Sequence, residues 1–151
     1  MDTRNLLKAF FTVVISFALT ACGSKEPEVI LPDPAGELTG SFSIVNSDGT
    51  PFSMDAIRAG YEITGSTVDI TLYSVSFSPR MPMTLDMTIP GISCTLSSGA
   101  YSLSGDNIVP TALGRPFENY MVTGLTGTLT DTGLALKMQI GGCPSEYRAG
   151  N

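Results

Sequence analysis

Three aspartates, Asp69, Asp86 and Asp106, are the residues of this chain best placed to do acid–base chemistry. Glycoside hydrolysis needs two carboxyl groups facing each other across the scissile bond, one protonated and one ionised. Asp69 and Asp86 alternate with apolar neighbours and so fall on the polar faces of strands, while Asp106 lies in the turn Ser104-Gly105-Asp106-Asn107. They read as solvated surface carboxylates, because a buried unpaired carboxylate is costly. Other catalytic routes close for want of a base. The sequence has no histidine, which removes the commonest general base and the commonest metal ligand. A Ser or Thr nucleophile would need a lysine instead, and Lys137 stands alone on a Thr and Gln face. No catalytic residue, metal site or cofactor is expected, and the chain reads as a non-enzyme.

Thiol chemistry begins with Cys22, which closes an N-terminus laid out like an export signal. Arg4 and Lys8 precede a mainly apolar run from Ala9 to Leu19, followed by small residues. A run of about a dozen apolar residues falls short of the ~20 that a membrane-crossing helix needs. The stretch Leu19-Thr20-Ala21-Cys22 resembles the lipobox of bacterial lipoproteins. That resemblance implies cleavage after Ala21 and lipidation of Cys22, with a diacylglyceryl group on its sulfur and an acyl chain on its amine. Two or more chains hold a protein stably to a bilayer, so the membrane is the expected partner and the outer membrane the expected location. Export also implies an oxidising compartment, in which the two remaining cysteines, Cys94 and Cys143, are expected to form a disulfide. Closing a loop of ~50 residues would stabilise the fold by about 4 kcal/mol.

The expected organisation is a signal peptide over residues 1–21, a lipidated N-terminus and linker over 22–36, and one domain over 37–151. Between Gly23 and Gly36, Pro27, Pro32 and Pro34 with Glu26, Glu28 and Asp33 give the composition of an extended, solvated tether. A Lys-Glu-x-Glu stretch behind the cysteine resembles acidic surface-export signals of some Gram-negative lipoproteins. An ordinary linker explains the same residues, so the two faces of the outer membrane stand as alternatives. The formal net charge of −6 and the scatter of Lys25, Arg58, Arg80, Arg115, Lys137 and Arg148 argue against nucleic acid as a partner. The sequence leaves protein partners unknown.

What must position these residues is a β-rich body. Strand-period alternation runs from Glu37 to Ile44, along Gly60–Ile63 and Thr67–Phe77, and most regularly along Met83–Ile89. Further extended pieces are Ile92–Leu96, Tyr101–Leu103, Tyr120–Thr130 and Leu134–Ile140, ending at Gly141-Gly142-Cys143. Turns fall at Asn46–Gly49, Thr64–Ser66, Ser97–Gly99 and Asp131–Gly133. The switch of apolar face within Thr67–Phe77 predicts either a bulge near Tyr73 or a strand buried on both sides at its end. Pro90-Gly91 is expected to break the run, and the pattern from Phe52 to Ala59 is ambiguous, open to one helical turn over Met54 to Arg58. The fold class expected is all-β: about eight short strands in series suit either a sandwich or an antiparallel up-and-down barrel, and the local hairpin connections favour the barrel.

The chain also resembles bacterial lipoproteins with a calycin-like, or lipocalin-like, domain. The resemblance is carried by the lipobox, the acidic tether, Gly40-Ser41-Phe42-Ser43-Ile44, the Met83–Ile89 alternation, and the hairpin from Leu125-Thr126-Gly127-Thr128-Leu129 to Ile140. It covers most of residues 37–143 and departs from better-known lipocalins in lacking tryptophan. It implies a barrel whose interior holds a small apolar or amphiphilic ligand. Phe42, Ile44, Val68, Ile70, Leu72, Met83, Leu85, Met87, Leu125, Leu129, Leu136 and Met138 are the expected inward lining. Gly40 and Gly127 on the same faces add no side-chain volume and are expected to leave room, and methionines suit both core filling and an adaptable lining. The alternative function is an envelope structural or interaction protein with a filled barrel.

Overall fold

The computed structural model describes residues 28–150. The export signal, the lipobox and Cys22 lie outside the described residues. Ten strands follow one another: β1 (Ala35–Val45), β2 (Pro51–Thr64), β3 (Thr67–Val75), β4 (Leu85–Ser97), β5 (Ala100–Gly105), β6 (Thr111–Ala112), β7 (Arg115–Pro116), β8 (Val122–Leu129), β9 (Leu134–Ile140) and β10 (Cys143–Ala149). A 3-10 turn at Glu118–Tyr120 leads into β8. The ladder runs β1-β2-β3-β4-β5-β8-β9-β10 and returns from β10 to β1, with every pairing antiparallel. Eight strands therefore close an up-and-down barrel, the expected fold class, and β6–β7 form a small flap on the flank of β4.

Alternation produces this closure directly. Along β9, Leu134, Leu136, Met138 and Ile140 are buried while Ala135, Lys137 and Gln139 are exposed. Curvature comes from bulges, where an extra residue bends one strand against its neighbour. The register shifts at Ala56 in β2, at Ser74 in β3, at Gly91 in β4 and at Gly124 in β8, and all four residues have positive φ. The Ser74 bulge answers the face switch anticipated near Tyr73.

The structure corrects several expectations. Met54–Arg58 is no helical turn but part of β2, because the Ala56 bulge resets its alternation. Pro90-Gly91 does not break β4, since Gly91 takes positive φ as the bulged residue and the ladder resumes at Ile92. Past Ile140 the chain turns through Gly141-Gly142 and adds β10, whose inward residues Ser145, Tyr147 and Ala149 are too polar or too small to announce a strand. Without β10 the barrel would not close.

The expected disulfide is not formed, and Cys94 and Cys143 are free thiols. β4 and β10 stand opposite one another in the ring of eight strands. Eight strands ~4.8 Å apart and tilted ~40° close on a diameter of about 16 Å, whereas a disulfide tolerates about 7 Å between Cα atoms. The two cysteines also lie toward opposite ends. Cys94 bonds its N–H to Ser66 in the β2–β3 turn, and Cys143 directly follows the β9–β10 turn.

Candidate functional site

The interior is the place where the sequence anticipated a site. Phe42, Ile44, Val68, Ile70, Leu72, Leu85, Met87, Leu125, Leu129, Leu136 and Met138 are all buried in one core, as expected. Met83 is not among them. It is 59% exposed, because β4 starts only at Leu85 and the Pro79–Pro82 stretch carries Met83 around the outside of the rim. Met81 takes its place against the core, and its Sδ accepts the Phe77 N–H at 3.3 Å. Met54 does the same for the N–H of Ser76, also at 3.3 Å.

Within the same core lies a residue that the sequence did not signal. Tyr147, 0% exposed and among the largest fully buried side chains, points inward from β10. Its hydroxyl reaches the carbonyls of Leu38 in β1 at 3.1 Å and Ile57 in β2 at 2.9 Å, beside the Ala56 bulge. Burial pushes its pKa up to about 12. The phenol thus occupies space a ligand would need and meets backbone acceptors there.

Nor do the two inward glycines leave a void. A Cβ on Gly40 would fall on the Arg148 carbonyl and within 2.6 Å of the Ala149 Cα. One on Gly127 would collide with the Ala135 carbonyl and stand 2.8 Å from Leu136 Cδ2. At both positions the adjacent strand's backbone has moved into the missing side chain's volume, so the expectation of room there is corrected.

Both mouths are covered. The β1–β2, β3–β4 and β9–β10 connections surround one mouth, where Phe77 enters from the β3–β4 loop. Phe77 meets Phe42 edge-on at 5.8 Å and Tyr120 at 4.9 Å, with Phe117 stacked beyond Tyr120 at 5.8 Å. Offset and edge-on contacts of this kind stabilise beyond their buried area. Across the other mouth runs the end of the stretch read as a tether. Pro34 accepts the Ile63 N–H at 2.6 Å, Pro32 is buried, and Val29 Cγ1 lies 2.5 Å from where a Gly99 Cβ would stand. β1 and the β4–β5 hairpin are on opposite sides of the ring, so residues 29–34 cross the opening.

The three aspartates are not gathered into a site. Asp69 Oδ1 accepts the Gly91 N–H at 2.7 Å, Asp86 Oδ1 the Ser74 N–H at 2.8 Å, and Asp106 Oδ1 the Gly124 N–H at 3.0 Å. Each carboxylate caps a bulged positive-φ residue on the neighbouring strand. They are exposed, as anticipated, but hold curvature as well as meeting solvent. Compared with known proteins, the chain matches no family model, no characterised relative and no solved structure. The likeness to calycins therefore stands on architecture, an eight-strand antiparallel barrel.

Outside, an open groove of about 500 Å³ lies over β1, β2 and β3. Arg58 pairs with Glu37 at 3.5 Å and stacks on the Tyr73 ring at 4.4 Å. The ring lies over Gly60, where an added Cβ would meet it at 3.0 Å. Tyr73 therefore covers a bare glycine and is itself covered by Arg58, leaving no open aromatic face for a ligand. Around β4, β5 and β8 the outer face is different. Ser93 faces Ser104, Thr95 faces Ser102, and Ser102 and Ser104 face Thr128 and Thr126, a continuous uncharged hydroxyl field on an otherwise acidic protein.

Proposed function

We propose that this protein is an envelope module, carried on a lipid anchor at Cys22 in the outer membrane, that acts through its outer surface and not as a carrier of a small molecule. The observation that supports this most is the occupied interior, with the fully buried Tyr147 ring inside the barrel, its hydroxyl bonded to β1 and β2, and both mouths covered. An eight-stranded barrel is just wide enough either to be filled by its own side chains or to hold one small ligand. Here side chains take the space. The anchor reading comes from the lipobox, and it leaves both faces of the membrane open. The uncharged Ser and Thr field on β4, β5 and β8 is the face best suited to close contact with another envelope component, since it carries no charge to desolvate.

The test is binding of a fluorescent apolar probe to the full chain, alongside native mass spectrometry of protein taken from its own membrane. The expected result is no saturable probe binding and no retained small molecule beyond the anchor. Binding of one probe per chain, abolished by Met87→Trp, would establish the ligand-carrying alternative instead.

A further inference from the structure

We infer that the mouth crossed by residues 29–34 docks on the surface of a zwitterionic lipid bilayer, with Val29, Ile30 and Leu31 entering its headgroup region. The inference depends on the reading of Cys22 as the anchor. Three consecutive apolar residues are exposed on this mouth, Val29 at 59%, Ile30 at 65% and Leu31 at 47%, in a segment whose Pro32 is buried and whose Pro34 is bonded to β2. Leu96, 45% exposed, lies on the same β4–β5 hairpin that Val29 touches. A run of exposed apolar side chains, unlike single scattered ones, marks an interaction surface.

The chain length selects the occupant. From Cys22 to Val29 is seven residues, which span at most ~24 Å when fully extended. Because residues 29–34 are fastened across this mouth, that short reach brings this end of the barrel to the bilayer and turns the β3–β4 loop and the β6–β7 flap away from it. The surface obliged to lie nearest the lipid is thus the one that exposes apolar side chains. Glu28 and Asp33 flank the segment and are exposed. Their charge disfavours an anionic bilayer surface and fits a zwitterionic one. Burial of the apolar residues at the headgroup boundary adds to the lipid anchor and fixes the barrel's orientation.

The chain contains no tryptophan, so Ile30→Trp places a single reporter in the patch and Met83→Trp places one at the opposite end. Both variants, expressed from the full chain in an exporting host, are mixed with phosphatidylcholine vesicles carrying brominated acyl chains. The expected result is that both float with the vesicles, that Trp emission in the Ile30 variant shifts to the blue and is quenched, and that the Met83 variant is unaffected. A variant that floats while its Ile30 reporter stays unquenched overturns the docking and leaves the anchor reading standing. Failure of both variants to float overturns the anchor reading and the docking with it. A blue shift of the Ile30 reporter without vesicles, growing with protein concentration, shows the patch covered by a second copy and also overturns the inference.

Discussion

The Tyr147 hydroxyl meets the Ile57 carbonyl at 2.9 Å, and in doing so β10 reaches over β1 to bond β2. The same hydroxyl lies 3.1 Å from the Leu38 carbonyl, so it ties three consecutive strands together from inside. Tyr147→Phe keeps the ring and leaves those carbonyls without their inward donor. Unfolding in urea should show a loss of about 1–3 kcal/mol, the cost of stranding a buried polar group. Tyr147→Ala should cost more, about 3–5 kcal/mol, by opening a cavity in the core. If Tyr147→Phe unfolds at the wild-type midpoint, the hydroxyl is not a structural tie.

Alkaline stability follows from the same burial. The ordinary tyrosine value is 10.0 and burial lifts Tyr147 to about 12, so the folded state holds the proton more tightly than the unfolded chain. Its contribution is complete below pH 10 and is lost as the pH rises from about 10 to about 12. Two pH units at 1.36 kcal/mol each give about 3 kcal/mol. Burial, with the charge of Asp33 adding, pushes Tyr61 up too and contributes a loss of the same sign. Denaturation followed from pH 9 to 12 should therefore show a slope that Tyr147→Phe flattens without abolishing. A slope unchanged by that substitution would assign the alkaline loss elsewhere.

Asp106 and Gly124 test whether carboxylates hold the bulges. Asp106→Ala removes the acceptor of the Gly124 N–H and should destabilise by about 1 kcal/mol. Amide exchange should rise locally at Gly124. Asp106→Asn keeps a carbonyl oxygen at that position and should recover most of the loss. The same ordering is expected for Asp86 over Ser74 and Asp69 over Gly91. Equal losses for Ala and Asn would point to charge and not to the capping bond.

Much of the barrel was legible because its strands keep a strict period of two. Leu134–Ile140 and the turns at Asn46–Gly49 and Thr64–Ser66 fall where the sequence places them. What escaped was whatever broke that period. At Ala56 and Gly91 a single bulged residue shifts the alternation and imitates a helical turn or a chain break. β10 escaped because it is inward through Ser145, Tyr147 and Ala149, and a lone tyrosine among small residues carries no strand signal. Since Tyr147 is among the largest fully buried side chains, a main occupant of the interior was hidden along with its strand. The tether misled in another way, as its prolines and acids describe solvation correctly at Asp33 but not at Pro32, which is buried on the mouth. The aspartates could be placed on polar faces, yet their pairing with bulges needs the register of two strands at once.

The cysteines offer a direct check on the barrel's closure. Cys94 is buried, and burial raises its thiol pKa, whereas Cys143 is half-buried beside the β9–β10 turn. A thiol-reactive maleimide should label Cys143 in the folded protein and Cys94 only after unfolding, since the thiolate is the reacting form. Reductant should leave the melting temperature unchanged, because no crosslink joins Cys94 to Cys143. A shift to lower temperature on reduction would mean that β4 and β10 are not on opposite sides.

Gly127→Ala distinguishes a filled interior from one with space in it. If the missing side chain left room, alanine would occupy it and stabilise the fold by about 0.4–1 kcal/mol, through the smaller entropy of the unfolded chain. The geometry gives the opposite sign. A Cβ there would press on the Ala135 carbonyl of β9, which is backbone and cannot rotate away, and on Leu136 Cδ2 at 2.8 Å. Forcing β8 and β9 apart should cost about 1–3 kcal/mol, and Gly40→Ala should cost as much by pushing β10 from β1, where the Arg148 carbonyl stands in the way. Neither glycine has a positive φ, so backbone strain does not confuse the result. Stabilisation by Gly127→Ala in thermal unfolding would show that β8 and β9 have space between them, and the ligand-carrying reading would return with it.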